Sequence, residues 1–182
     1  MELRWHVVDG PVEHRDRCDV SAVRRALWAR FVSASHEGVT RVVVADDDET
    51  MRRAMVDVLE AHGGFRVVAE CVSGVGLPEL VAETDAQLVV LDVRMPSGGP
   101  SAARTLRDRP PHPVVVAVSA SDDVPTVAAM VRAGATGFLA KGDLGATFAE
   151  DLVRCMRGQV MIAVAQGAQV LRAVREGHEP FG

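Results

Sequence analysis

Four apolar runs in this chain each end in a residue able to do chemistry. Leu88-Val89-Val90-Leu91 is followed by Asp92, Arg41-Val42-Val43-Val44-Ala45 by Asp46-Asp47-Asp48, Val114 to Val118 by Ser119, and Gly137-Phe138-Leu139-Ala140 by Lys141. Three carboxylates in one crevice raise one another's pKa unless a cation joins them. A hard divalent ion with oxygen ligands meets that need, and Mg2+, which takes one or two carboxylates and a phosphate oxygen, fits best. With such an ion present, Asp92 can attack a phosphoryl group and form an acyl phosphate, while Lys141 and the Ser119 hydroxyl contact the remaining oxygens. Taken alone, Asp46 to Asp48 reads equally well as a solvated acidic turn. Lys141 is the only lysine in a chain with 20 basic residues. A compact ammonium approaches a phosphoryl oxygen where a planar guanidinium would not fit.

Bringing these residues together is the task of the elements between them. Uninterrupted apolar runs read as strands buried on both faces, as in a parallel sheet, whose C-terminal edge is where open α/β sheets place their chemistry. Helical stripes alternate with the strands. Met51, Met55, Val58 and Leu59 form one that ends at His62-Gly63-Gly64, before a second strand over Phe65 to Cys71. A short helix through Leu80 and Val81 follows, with Ser73-Gly74-Val75-Gly76 read as a plain turn because the third glycine of a dinucleotide fingerprint is absent. Later helices are expected from Ser101 to about Arg107, Asp122 to Ala133, and Asp143 to Arg157 with Leu144, Phe148, Leu152 and Met156 on one face. The prolines at 110, 111 and 113 separate the first of these from the Val114 strand. Five strand-helix units predict a doubly wound α/β fold with a five-stranded parallel sheet built from right-handed crossovers. Strand order 2-1-3-4-5 sets Asp46 and Asp47 beside Asp92 at the switch point.

Residues 41–157 make this domain. Residues 1–40 form an extension with one amphipathic helix, capped by Asp19 and striped by Val20, Val23, Leu27, Phe31 and Val32. Residues 158–182 are expected as a tail or linker helix, from about Ala163 to Arg175. The formal charge of -5 lies wholly in the middle, since acids and arginines balance at both ends. No basic face is available for phosphate neutralisation, so direct nucleic-acid contact by this chain is disfavoured. Cys18, Cys71 and Cys155 lack metal-ligand spacing and read as thiols of a reducing compartment. Without a signal-peptide pattern or a run near the roughly 20 apolar residues of a membrane span, a cytoplasmic protein is expected.

Together these segments resemble the receiver domain of bacterial two-component response regulators. Ala45-Asp46-Asp47 matches the acidic pair and Leu91-Asp92-Val93-Arg94-Met95-Pro96 the phosphoacceptor segment. Val118-Ser119-Ala120 matches the switch hydroxyl and its small neighbour, and Gly137-Phe138-Leu139-Ala140-Lys141 the last strand with its switch aromatic and lysine. The resemblance implies a CheY-like fold and Mg2+-dependent transfer of phosphate from a histidine kinase, or from a small donor such as acetyl phosphate, to Asp92. It implies Asp46, Asp47, Asp92 and the backbone carbonyl of Arg94 as metal ligands, and Ser119, Ala120 and Lys141 as phosphoryl contacts. Ser119 and Phe138 would switch, changing the face formed by 122–157; the bland alternative is that Phe138 is simply core. Arg94 and Ser121 sit where the family tunes dephosphorylation. The wording is most similar to the NarL/LuxR-type subfamily, which continues into a helix-turn-helix domain where this chain stops. The loop Ser97-Gly98-Gly99-Pro100 is one residue shorter than is common. A phosphorylation-dependent homodimer with no turnover of an external substrate is the expected form. The alternatives are the regulatory part of a DNA-binding transcription factor, or a phosphorylation-independent interaction module.

Overall fold

A computed structural model describes residues 38–143, 145, 147–164 and 167–176. The leader helix expected over 19–33 lies outside the described residues, as does Leu144. Strands and helices alternate as β1 (Thr40–Ala45), α1 (Glu49–His62), β2 (Phe65–Cys71), α2 (Leu77–Glu83), β3 (Leu88–Asp92), α3 (Gly99–Asp108), β4 (Val114–Ser119), α4 (Val124–Ala133) and β5 (Gly137–Ala140). A 3-10 turn (Lys141–Asp143), α5 (Phe148–Met156), β6 (Met161–Ala163) and α6 (Gly167–Glu176) complete the described chain.

All pairings are parallel, in the order β2-β1-β3-β4-β5-β6. The expected order of the first five strands holds, but among the described residues the sheet has six. Met161–Ala163, expected to precede or begin a tail helix, instead lies along β5, with Phe138 opposite Ile162. The alternation explains it: Met161 packs into the core on one face of the sheet and Ile162 against the core on the other. Helix α6 consequently starts at Gly167 rather than near Ala163.

Strand β3 is buried at all five positions, as its apolar run demands. One face of the sheet is covered by α2, α3, α4 and α6, through Leu77, Val81, Leu106, Val127, Met130 and Val170. The other is covered by α1 and α5, through Met55, Leu59, Phe148, Leu152 and Cys155. Val58 departs from its expected stripe and is 37% exposed, because α1 buries only Met55 and Leu59 fully. Helix α1 is fixed at both ends. Asp48 accepts the amides of Thr50 and Met51, and Gly63 closes the helix at φ 75°, a conformation that suits glycine. Helix α3 begins at Gly99, two residues before the expected Ser101, with Pro100 in its first turn. Helix α5 begins at Phe148, after the 3-10 turn, rather than at Asp143. Among the described residues no helix is long and apolar enough to cross a membrane.

Candidate phosphoacceptor site

The C-terminal ends of β1, β3, β4 and β5 lie side by side, and their polar endings meet as parallel pairing requires. Asp46 is fully buried and Asp92 is 3% exposed, whereas Asp47 faces solvent. One carboxylate oxygen from each of the three lies within 4.8 Å of the other two. Lys141 enters from the end of β5, its Nζ 2.7 Å from Asp46 Oδ2 and 3.3 Å from Asp92 Oδ1. One ammonium against three carboxylates leaves negative charge uncompensated, and the donors are all hard oxygens. That set fits a divalent cation such as Mg2+.

The local fold holds Asp46 and Asp92 in place. The amide of Asp48 donates to Asp46 Oδ1 at 3.0 Å. Arg52, one turn into α1, donates from Nη1 to the backbone carbonyl of Asp46 at 2.8 Å and pairs through Nε with Glu70 on β2 at 3.0 Å. Burial raises the pKa of Asp92 above the usual carboxylate range; Lys141 pulls the other way, Asp46 adds to the rise, and the amide of Arg94 donates to the carboxylate and opposes it. Burial disfavours the Lys141 ammonium, yet the hydrogen bond to Asp46 and the charges of Asp92 and Asp46 outweigh it and raise its pKa. Lys141 is therefore charged throughout the neutral range.

An open cleft is lined by Asp47, Asp48, Asp92, Arg94, Ala120 and Lys141. The structure thus brings Asp46, Asp47, Asp92 and Lys141 together, with Arg94 and Ala120 on the cleft wall. Ser119 ends the strand beside β3, fully buried, its Oγ accepting the amide of Ser121 at 3.1 Å. The Ser121 hydroxyl donates to Asp123 Oδ2 at 2.8 Å, which also ties it to the cap of α4. Phe138 lies in the core, fully buried.

Ser73 and Gly74, read from the sequence as part of a turn, prove to support the segment after Asp92. The Ser73 hydroxyl and the Gly74 amide both donate to the carbonyl of Pro96, at 3.1 and 2.8 Å. A Cβ on Gly74 would stand 1.8 Å from the Ser97 carbonyl oxygen, so only glycine permits this approach. The sequence signal was a small residue pair at the end of β2, without any indication of which backbone it would meet.

Similarity to known proteins extends over most of this framework. Residues 42–150 match the family described as response regulator receiver domain. The signal receiver domain of the response regulator NarL from Mycobacterium tuberculosis is 32% identical with a TM-score of 0.62, covering 65% of this chain and 97% of that one. A LuxR-family response regulator from Aurantimonas sp. SI85-9A1 superposes with a TM-score of 0.68 at 21% identity, covering 74% and 97%. Among curated proteins, a protein-glutamate methylesterase/protein-glutamine glutaminase of Myxococcus xanthus is 37% identical over 103 residues, covering 56% of this chain and 29% of its own length. The chain spans from 29% to 65% of the length of the first curated relatives it matches. With the family match running from β1 into α5 and the acidic cluster at the expected strand ends, the chain belongs to the response regulator receiver domain family, among relatives of NarL/LuxR type.

Proposed function

We propose that this receiver accepts a phosphoryl group on Asp92 from a histidine kinase, in the presence of Mg2+, and signals through the face formed by 122–157. The observation that carries this reading is the convergence of Asp46, Asp47 and Asp92 on one point, with Lys141 bridging two of them. A carboxylate oxygen of Asp92 attacks the phosphorus, forming an O–P bond, and the bond to the donor breaks with its electron pair leaving on the donor. Asp46, Asp47, Asp92 and the carbonyl of Arg94 would hold the ion, whose contribution is to neutralise charge on the transferred group. Lys141 contacts a phosphoryl oxygen as a fixed point charge. The Ala120 amide and the Ser119 hydroxyl contact the others, Ser119 exchanging its present bond with the Ser121 amide for one to the phosphoryl group. Phe138 follows Ser119 as the second half of the switch.

The chain acts as a phosphoryl acceptor rather than as a catalyst turning over an external substrate. It works in the cytoplasm with a histidine kinase, and association of two phosphorylated copies is the output this reading favours. Domain limits of 1–40, 41–157 and 158–182 belong to the same proposal. Similarity to the transcriptional regulatory protein NarL of Mycobacterium tuberculosis supports transcription control as the process served.

Intact-protein mass spectrometry after incubation with acetyl phosphate and Mg2+ tests the reading, with size-exclusion chromatography of the same samples. One phosphoryl adduct, lost in Asp92→Asn and on chelation of Mg2+, is the expected result. No adduct with acetyl phosphate or with a panel of kinases would leave the phosphorylation-independent module as the better account.

A further inference from the structure

The segment after α5 does more than extend the chain. Strand β6 lies along β5, the Met161 amide donating to the Thr136 carbonyl at 3.1 Å. Helix α6 then crosses back onto α4. Val170 is fully buried in the same core as Val127, Met130 and Phe138, with Ile162, Val164, Ala173 and Val174 packed around it. The α4 residue Arg132 donates from its guanidinium to the carbonyl of Ala173 near the C-terminus of α6, where a cation is favoured. Its Nε, although buried, has no hydrogen-bond partner among the described residues. The α6–α4 seam thus joins apolar packing to one part-buried guanidinium that is not fully satisfied among the described residues.

Phe138 connects this segment to the site. It pairs with Ile162 on β6 and with Ala117 on β4, and Ala117 stands two residues before Ser119. Resting on the phosphoacceptor reading, we propose that β6 and α6 are a movable latch over α4 and β5, closed when Asp92 is free and loosened when Asp92 carries a phosphoryl group. Withdrawal of Phe138 toward Ser119 removes packing from beneath Ile162 and Val170. The latch then loses contact area on the face it shares with Phe138. Coupling between sites is reciprocal, so weakening the latch must raise the affinity of the cleft for a phosphoryl mimic.

The test is hydrogen exchange of peptides covering 159–176, on the full chain, after acetyl phosphate and Mg2+ have produced an adduct verified by intact mass. Amides of β6 and α6 should exchange about 5-fold faster or more in the adduct, the lower end of ordinary coupling between sites, with no change in Asp92→Asn. Separately, Val170→Ser and Arg132→Gln should each tighten binding of beryllofluoride with Mg2+, read by isothermal titration, although neither residue touches the cleft. If Val170→Ser does not fold, Arg132→Gln and the exchange experiment still decide. An adduct with tail exchange changed by less than roughly 2-fold, or folded variants with unaltered beryllofluoride affinity, overturns the latch alone. Failure to form any adduct overturns both the latch and the phosphoacceptor reading.

Discussion

Lys141, at the end of β5, and Asp46, at the end of β1, form a buried ion pair. Asp46 is fully buried, and Lys141 Nζ at 2.7 Å is the charge that makes that burial tolerable. Lys141→Met should cost roughly 3 kcal/mol in urea unfolding without metal, the low end for breaking a buried pair. Because the three carboxylates then lack any cation, Mg2+ should raise the thermal midpoint of the variant more than that of the wild type. Equal shifts would mean that the acids do not share one ion. A different acid, Asp151 on α5, is also buried, and desolvation raises its pKa despite Arg154 at 3.2 Å. A raised native pKa means that the native state holds a proton the unfolded state has already released. The stabilisation is complete below the unfolded pKa and is lost as pH rises through the native one. Asp151→Asn should therefore be more stable than wild type at neutral pH, with the gap closing as pH falls to the ordinary carboxylate range. Urea melts across that range check it, and a gap independent of pH would assign the effect to packing instead. The sequence disclosed Asp92, Asp46 and Lys141 because each ends an apolar run, but it disclosed nothing of Asp151. An acid beside an amphipathic stripe looks solvated until the neighbouring helix is in place.

At the scale of elements, the loop after β3 depends on a residue from the loop after β2. Gly74 approaches the Ser97 carbonyl more closely than any Cβ allows, and its amide holds the Pro96 carbonyl. Gly74→Ala should displace the 94–98 segment, costing about 1–3 kcal/mol as overpacking does. The more telling loss is positional. A shift of about an ångström in the segment carrying Arg94 should slow adduct formation from acetyl phosphate on the order of tenfold or more. Pulse mass spectrometry measures this, and an unchanged rate in a destabilised variant would confine Gly74 to stability. Periodicity located the strands and most helices within a residue or two, because burial on one or both faces leaves a pattern in composition. It failed where tertiary contact decides. Three residues of β6 are too short to establish a period, and Ser73-Gly74 carries no mark of the carbonyl it meets. Helix α5 starts later than the expected Asp143 because the 3-10 turn at Lys141–Asp143 precedes it.

For the molecule as a whole, β6 fixes what lies at the margin of the sheet. Strand β5 is apolar along Phe138 and Leu139, and without β6 its backbone donors and acceptors would face outward unpaired. Such an edge is a template for adding further strands. β6 replaces it with an edge only three residues long. Removal of residues 158–182 should accordingly yield protein that self-associates with concentration, seen as rising light scattering, whereas the full chain stays dispersed under the same conditions. A dispersed, monomeric truncated chain would show that β5 is protected by other means. Protection of the β5 edge in this receiver therefore rests on β6, and self-association of a chain cut before residue 158 would report that edge uncovered.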